Sequence, residues 1–141
     1  MVPVAGKPFV EHQLELLRSH GARRIVMCVG YLGEQLEEAV GDGRRFGVEV
    51  EYSYDGPEPA GTAGAIRKAL QLLGETFLVL YGDAYLRVDY QDVVRTFQQS
   101  ELPALMTVYR NRDQLDTSNA VYIDGRVVAY DKKSPPPGGM R

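Results

Sequence analysis

Apolar and polar positions along the chain alternate between a helical and a strand rhythm. Between Pro8 and His20, Val10, Leu14 and Leu17 recur at i, i+4 and i+7, with Glu11, Glu15 and Arg18 on the opposite face. That spacing predicts an amphipathic helix, with Pro8 suited to its first turn and Gly21 to its end. Arg24 to Val29 has almost no polar alternation and predicts a strand covered on both faces, as in a parallel sheet. Leu32, Leu36 and Val40 share one face of a second helix over Leu32–Val40, which Gly41 ends. Val48, Val50 and Tyr52 alternate with Glu49, Glu51 and Ser53, so Val48–Tyr54 predicts a half-exposed strand. Asp55–Ala60, with two prolines and a glycine, is a loop. Thr62–Leu73 is a third helix, with Ile66, Ala69, Leu70 and Leu73 inward. Thr76–Tyr81 is the next strand. Asp89 caps a fourth helix through about Gln99, with Val93, Val94 and Phe97 inward. Ala104–Tyr109 is another strand, and Val121–Tyr130 a hairpin turning at Asp124-Gly125. The tail from Ser134 to Gly139 is rich in proline and glycine and reads as loose.

Strictly alternating helices and strands predict an α/β fold, Rossmann-like, with a mostly parallel sheet and helices on both faces. The first predicted element is a helix. In a doubly wound sheet the first strand is central, and the loop after it holds phosphate. Such a strand buries about five or six apolar residues at about 1.5–3 kcal/mol each. That sum is comparable with the whole stability of a domain, about 5–15 kcal/mol. The expectation is therefore that residues 1–141 form a partial domain lacking the first strand and its loop. The alternative is that Met1 is a true start and another strand pairing compensates.

A length of 141 residues with 44% apolar and 25% charged positions fits one domain with a real core. The net charge of −3 gives no electrostatic case for nucleic acid or a membrane surface as partner. No run reaches transmembrane length, and the start lacks the apolar core of a signal peptide. The single Cys28 cannot build a disulfide framework, so a reducing compartment, the cytoplasm, is expected. Cys28 itself is expected in the core.

Two glycine motifs carry the candidate chemistry. Gly61-Thr62-Ala63-Gly64 opens a helix, where unpaired N–H groups and the positive dipole end attract phosphate. Gly61, without a Cβ, lets a ligand approach the backbone. Gly82-Asp83 ends the apolar run Phe77-Leu78-Val79-Leu80 and delivers a carboxylate suited to a metal or a hydroxyl. The bland readings are an ordinary helix start and a strand-ending turn. Gly41 to Gly47 is no dinucleotide fingerprint: its spacing is wrong by one residue and no strand precedes it. There is no P-loop. His12 and His20 lack a ligand partner at useful spacing, and no nucleophilic triad is visible. Lys132-Lys133 reads by spacing alone as a solvated pair, with a phosphate clamp as the alternative.

Taken as a set, these residues resemble the sugar nucleotidyltransferase family, also called nucleoside-diphosphate-sugar pyrophosphorylases. Val2-Pro3-Val4-Ala5-Gly6-Lys7-Pro8-Phe9 resembles the family's segment leading into its first helix. Glu58-Pro59-Ala60-Gly61-Thr62-Ala63 resembles its E-x-P-L-G-T-A segment, with Ala60 where Leu is usual. Leu80-Tyr81-Gly82-Asp83 resembles its strand-ending G-D, and Tyr130-Asp131-Lys132-Lys133 a variant of its F-x-E-K-P, with Lys132 in place of Glu. The four segments occur in the family's order over nearly the whole chain. The mannose- and heptose-1-phosphate guanylyltransferase group looks most similar. The family's glycine-rich signature would lie upstream of Met1.

The resemblance implies transfer of a nucleotidyl group from an NTP to a sugar 1-phosphate, with Mg²⁺ and release of pyrophosphate. It implies that Gly61, Thr62, Ala63 and Gly82 bind the nucleotide and that Asp83 is catalytic and holds Mg²⁺. Lys133 would be the catalytic phosphate contact, with Lys132 and Asn119 on the sugar phosphate side. Lys7 is a further candidate for keeping the site positive. The implied partners are the NTP and the sugar 1-phosphate, with no nucleic acid or membrane, and a homo-oligomer is admitted. Without the upstream loop the isolated chain is expected to be inactive. The rivals are a non-catalytic regulatory or assembly domain of the same fold and a phosphoacceptor receiver-type domain. The latter needs an acidic pair after an earlier strand, where Gly30-Tyr31 stands.

Overall fold

The computed structural model describes residues 2–58, 60–110 and 118–131. In chain order the elements are β1 (Pro3–Val4), β2 (Lys7–Pro8), α1 (Phe9–Ser19), β3 (Arg24–Val29), α2 (Gly33–Val40), β4 (Glu49–Tyr54), α3 (Gly61–Ala69), α4 (Tyr90–Ser100), β5 (Ala120–Ile123) and β6 (Arg126–Tyr130). A short 3-10 turn, Arg44–Phe46, precedes β4. The chain divides into two compact units, residues 1–89 and residues 90–141.

In the first unit β3 and β4 pair in parallel, in register from Arg24 opposite Glu49 to Val29 opposite Tyr54. Backbone bonds from Glu49 N–H to Arg23 O (2.7 Å) and from Asp55 N–H to Val29 O (2.9 Å) close the ladder at its two ends. A parallel pair requires a crossover, and α2 with the 3-10 turn supplies it. The core forms where the crossover folds back. Leu14 of α1, Val40 of α2, and Val48 and Val50 are buried together, with Val10, Ile25, Met27, Leu36, Phe46 and Tyr52 packed around them. Odd positions of β3 thus face α1 and α2. Even positions face α3, which packs on the other side of β3 and β4. Helices on both faces of a parallel pair are what the alternation predicts.

Cys28 departs from expectation. It is exposed, because the period of two turns it to the α3 side, where its thiol reaches Ala65 O at 3.8 Å. The α3 face of β3 is therefore only partly covered. Leu70, expected inward, is exposed, although as the C-cap of α3 it keeps helical dihedrals (φ −54°, ψ −32°). The predicted strands over 76–81 and 104–109 have no ladder partner among the described residues, and Leu78, Val79, Tyr81, Met106 and Tyr109 are exposed. Their composition favours a strand, but a strand exists only against a neighbour, and β3 and β4 pair here with each other alone.

In the second unit β5 and β6 form the expected antiparallel hairpin. Ile123 pairs with Arg126, and Asp124 (φ 48°) and Gly125 (φ 81°) supply the two positive-φ turn residues. A register shift at Val121/Tyr122 marks a bulge. The helix α4 runs one residue beyond the predicted Gln99.

Candidate functional site

The short connection from Ser19 to Arg24 puts the end of α1 at the start of β3, so the first turns of α1 face that strand's carboxyl end. The loop after β4 and the start of α3 lie at the same end. Asp55 opens this loop. The Lys68 ammonium, from the second turn of α3, donates to the Asp55 carbonyl and so ties the loop to the helix it leads into. One Asp55 carboxylate oxygen, Oδ1, is buried with no hydrogen-bond partner among the described residues.

Gly61, Thr62 and Ala63 form the first turn of α3. Gly61 has a φ of +66°, and among the described residues beyond its chain neighbours and the helix's own backbone no heavy atom lies within 4 Å of where a Cβ would stand. Its backbone therefore requires glycine while the space beside it stays open. Gly64 is required for the opposite reason: a Cβ there would stand 2.8 Å from Ala60 Cβ. Among the described residues no side chain caps α3, so its first N–H groups have no capping acceptor from the N-cap residue Ala60.

Gly82 and Asp83 are the two central residues of a β-turn, closed by Ala84 N–H donating to Tyr81 O at 3.0 Å. The turn is held against α1 by Gln13, whose Nε2 donates to Ala84 O at 2.8 Å and Tyr81 O at 3.4 Å. Beside it the Phe9 and Tyr85 rings meet in a tilted contact with centroids 6.3 Å apart. Asp83 and Gly82 are exposed, and a Cβ at Gly82 would meet nothing within 4 Å. Sequence reasoning missed Gln13, although one signal existed: a polar residue next to Leu14 on the stripe that α1 buries.

Lys7 is committed elsewhere. Its ammonium lies 2.6 Å from both Glu15 carboxylate oxygens, and that hydrogen bond, the larger cause, lowers the Glu15 pKa. Its charge is therefore matched within the β2–α1 corner rather than left to a ligand. The Cys28 thiol is pushed up by partial desolvation and then by the Asp55 carboxylate, so it stays protonated at neutral pH and is a poor nucleophile. Asn119 lies in the second unit, exposed, where its carbonyl accepts from Asp131 N–H at 3.0 Å. That bond extends the hairpin by one pair to the residue just before Lys132. Lys132 and Lys133 lie outside the described residues.

Among the described residues no group of three or more His, Cys, Asp or Glu side chains is arranged to hold a metal. Asp83 offers a single exposed carboxylate. That donor set does not make a protein cage; it suits a hard cation held by one carboxylate, water and substrate phosphate, as Mg²⁺ usually is. Among the described residues no helix is long and apolar enough to cross a membrane.

The family model described as nucleotidyl transferase matches residues 1–121. The chain is 31% identical over 147 aligned positions to a UTP–glucose-1-phosphate uridylyltransferase of Synechocystis, covering 94% of this chain and 38% of that protein. It is 43% identical over 107 positions to an N-acetylmuramate α-1-phosphate uridylyltransferase of Neisseria meningitidis, covering 73% of this chain and 44% of that protein. The chain thus spans less than half the length of these two relatives. Among solved structures, HddC from Yersinia pseudotuberculosis matches with a TM-score of 0.63 and 29% identity, over 68% of this chain and 43% of that one.

Proposed function

Because this chain belongs to the nucleotidyl transferase family, we propose that the protein carrying it makes nucleotide sugars from an NTP and a sugar 1-phosphate. Residues 1–141 would be a partial nucleotidyltransferase domain of that protein, in the cytoplasm and with a homo-oligomer admitted. The observation that carries the reading is the match over residues 1–121, which spans both glycine motifs, together with open space beside Gly61 at an uncapped helix start.

In this reaction a phosphate oxygen of the sugar 1-phosphate attacks the α-phosphorus of the NTP. The bond from that phosphorus to the bridging oxygen breaks, and pyrophosphate leaves with the electron pair. Mg²⁺, when bound, supplies positive charge to the phosphates. On this reading Gly61, Thr62 and Ala63 lie against the base or ribose, because the missing Cβ of Gly61 admits a flat ligand to the backbone. Gly82 leaves room for the nucleotide, and Asp83 holds the metal and orients the phosphates. Lys133, with Lys132, meets the sugar phosphate, and Asn119 the sugar hydroxyls. Positioning and charge stabilisation account for catalysis of this type, with little covalent chemistry for the protein to do.

The test is pyrophosphate release by the full-length protein across a grid of sugar 1-phosphates and the four NTPs. Turnover confined to one base and one sugar class is expected. Absence of turnover with every pair, in a protein shown to be folded, removes the proposal.

A further inference from the structure

We infer that Gln13 is a positioning residue for Asp83: its side-chain amide fixes the turn that aims the carboxylate. The inference rests on the reading of Asp83 as part of the reactive site. Gln13 is 8% exposed, on the helix face that also carries fully buried Leu14. An apolar residue would continue that stripe, and burying an amide is unfavourable unless it is hydrogen-bonded. The bonds it makes explain its presence. One NH₂ group donates to the carbonyls of both Tyr81 and Ala84, the first and last residues of the turn. Between them stand only Gly82 and Asp83. Two carbonyl acceptors also settle which way the amide points, since its oxygen would be repelled there.

Among the described residues, Tyr81 is 60% exposed, Gly82 and Asp83 are exposed, the turn makes one backbone bond of its own, from Ala84 N–H to Tyr81 O, and only the Phe9–Tyr85 ring contact flanks it. The carboxylate direction therefore depends on a clamp from the neighbouring helix. A carboxylate misplaced by about 1 Å can cost about 10²-fold in rate while substrate binding survives.

The experiment uses Gln13→Leu and Gln13→Glu in the full-length protein. Leu keeps the volume and the apolar stripe but removes both donors. Its kcat is expected to fall at least about tenfold with the NTP KM within about twofold, and its Ala84 amide to exchange hydrogen faster than wild type. Glu replaces the amide with a group that donates only when protonated. Burial and the facing carbonyls raise its pKa. Its kcat, relative to wild type at the same pH, should recover as pH falls from about 8 to about 6, and the clamp with it. A purely structural role predicts a lowered melting temperature with kcat unchanged in the folded fraction. That result, or unchanged Ala84 exchange in Gln13→Leu, overturns the inference. If Leu prevents folding, the pH profile of Gln13→Glu decides alone. Asp83→Asn separates the two claims: full activity in that variant removes Asp83 from the site, while Ala84 exchange still reports on the clamp.

Discussion

Replacing Gly61 distinguishes a glycine kept for its backbone from one kept for a ligand. Gly61 sits at φ +66°, and no heavy atom lies within 4 Å of a Cβ built there. Among the described residues Gly61→Ala therefore meets no steric wall. Its cost is the left-handed backbone alone, about 1–2 kcal/mol. For a domain of this size that lowers the melting temperature by about 3–8 °C. Asn tolerates the left-handed region, so Gly61→Asn should regain most of the loss. Binding should separate from stability. If a nucleotide lies against the Gly61 backbone, both side chains occupy its place. NTP affinity then falls at least about tenfold, or about 1.4 kcal/mol, in Ala and in Asn alike. Differential scanning calorimetry and isothermal titration calorimetry on the full-length protein measure the two quantities. A Gly61→Asn variant with native stability and native NTP affinity would refute the assignment, leaving Gly61 a backbone requirement only. A Gly61→Ala variant with unchanged melting temperature would refute the strain argument itself.

Asp83→Ala should lower kcat by about 10²-fold or more while leaving the fold intact, since the residue is exposed. Steady-state kinetics beside a melting curve checks this, and a near-normal rate takes Asp83 out of the mechanism. Leu14→Ala removes a side chain that is 1% exposed at the centre of the core, and should cost about 2–5 kcal/mol. With a urea slope of about 2 kcal/mol/M, the midpoint moves down by about 1–2.5 M; a shift below about 0.3 M would mean the cluster is not the core. The Tyr54 hydroxyl donates to Glu37, and first that hydrogen bond pushes its pKa up to about 12 from the ordinary tyrosine value of 10.0. Its folded pKa lies above the unfolded one. The stability it contributes is thus complete below pH 10 and lost as pH rises through 10 to 12. Ultraviolet titration of tyrosinate in wild type and Tyr54→Phe should differ by one late-titrating group, and superimposable late phases would contradict this.

The fold was legible where local pattern and tertiary neighbours agree. β3 runs over the predicted Arg24–Val29 because its apolar run meets α1 and α2 on one side and α3 on the other. The hairpin at Asp124-Gly125 was legible because a two-residue turn of that composition needs no distant partner. The segments 76–81 and 104–109 were misread because apolar content reports what would fit a sheet, not which strand will pair. The candidate site was half legible. The helix start at Gly61 and the turn at Gly82-Asp83 show as local signals. Gln13 lies 68 and 71 residues from the carbonyls it holds, and a glutamine on a helix reads as solvated until the turn is seen. The commitment of Lys7 to Glu15 was hidden likewise, since the chain bends between β2 and α1 to bring them together.

The parallel β3–β4 ladder also sets the order in which this chain gains structure. Every pair in it joins residues roughly 25 positions apart, so closing the first contact costs about 3 kcal/mol of chain entropy before any bond repays it. No short hairpin lies on the way, and α2 must dock before Val40 and Val50 meet. The β5–β6 hairpin closes across two residues, an event of about 1–10 µs. The two units are therefore expected to form on separate clocks. The glycine-bearing start of α3 should become a defined surface only when the slower one has run.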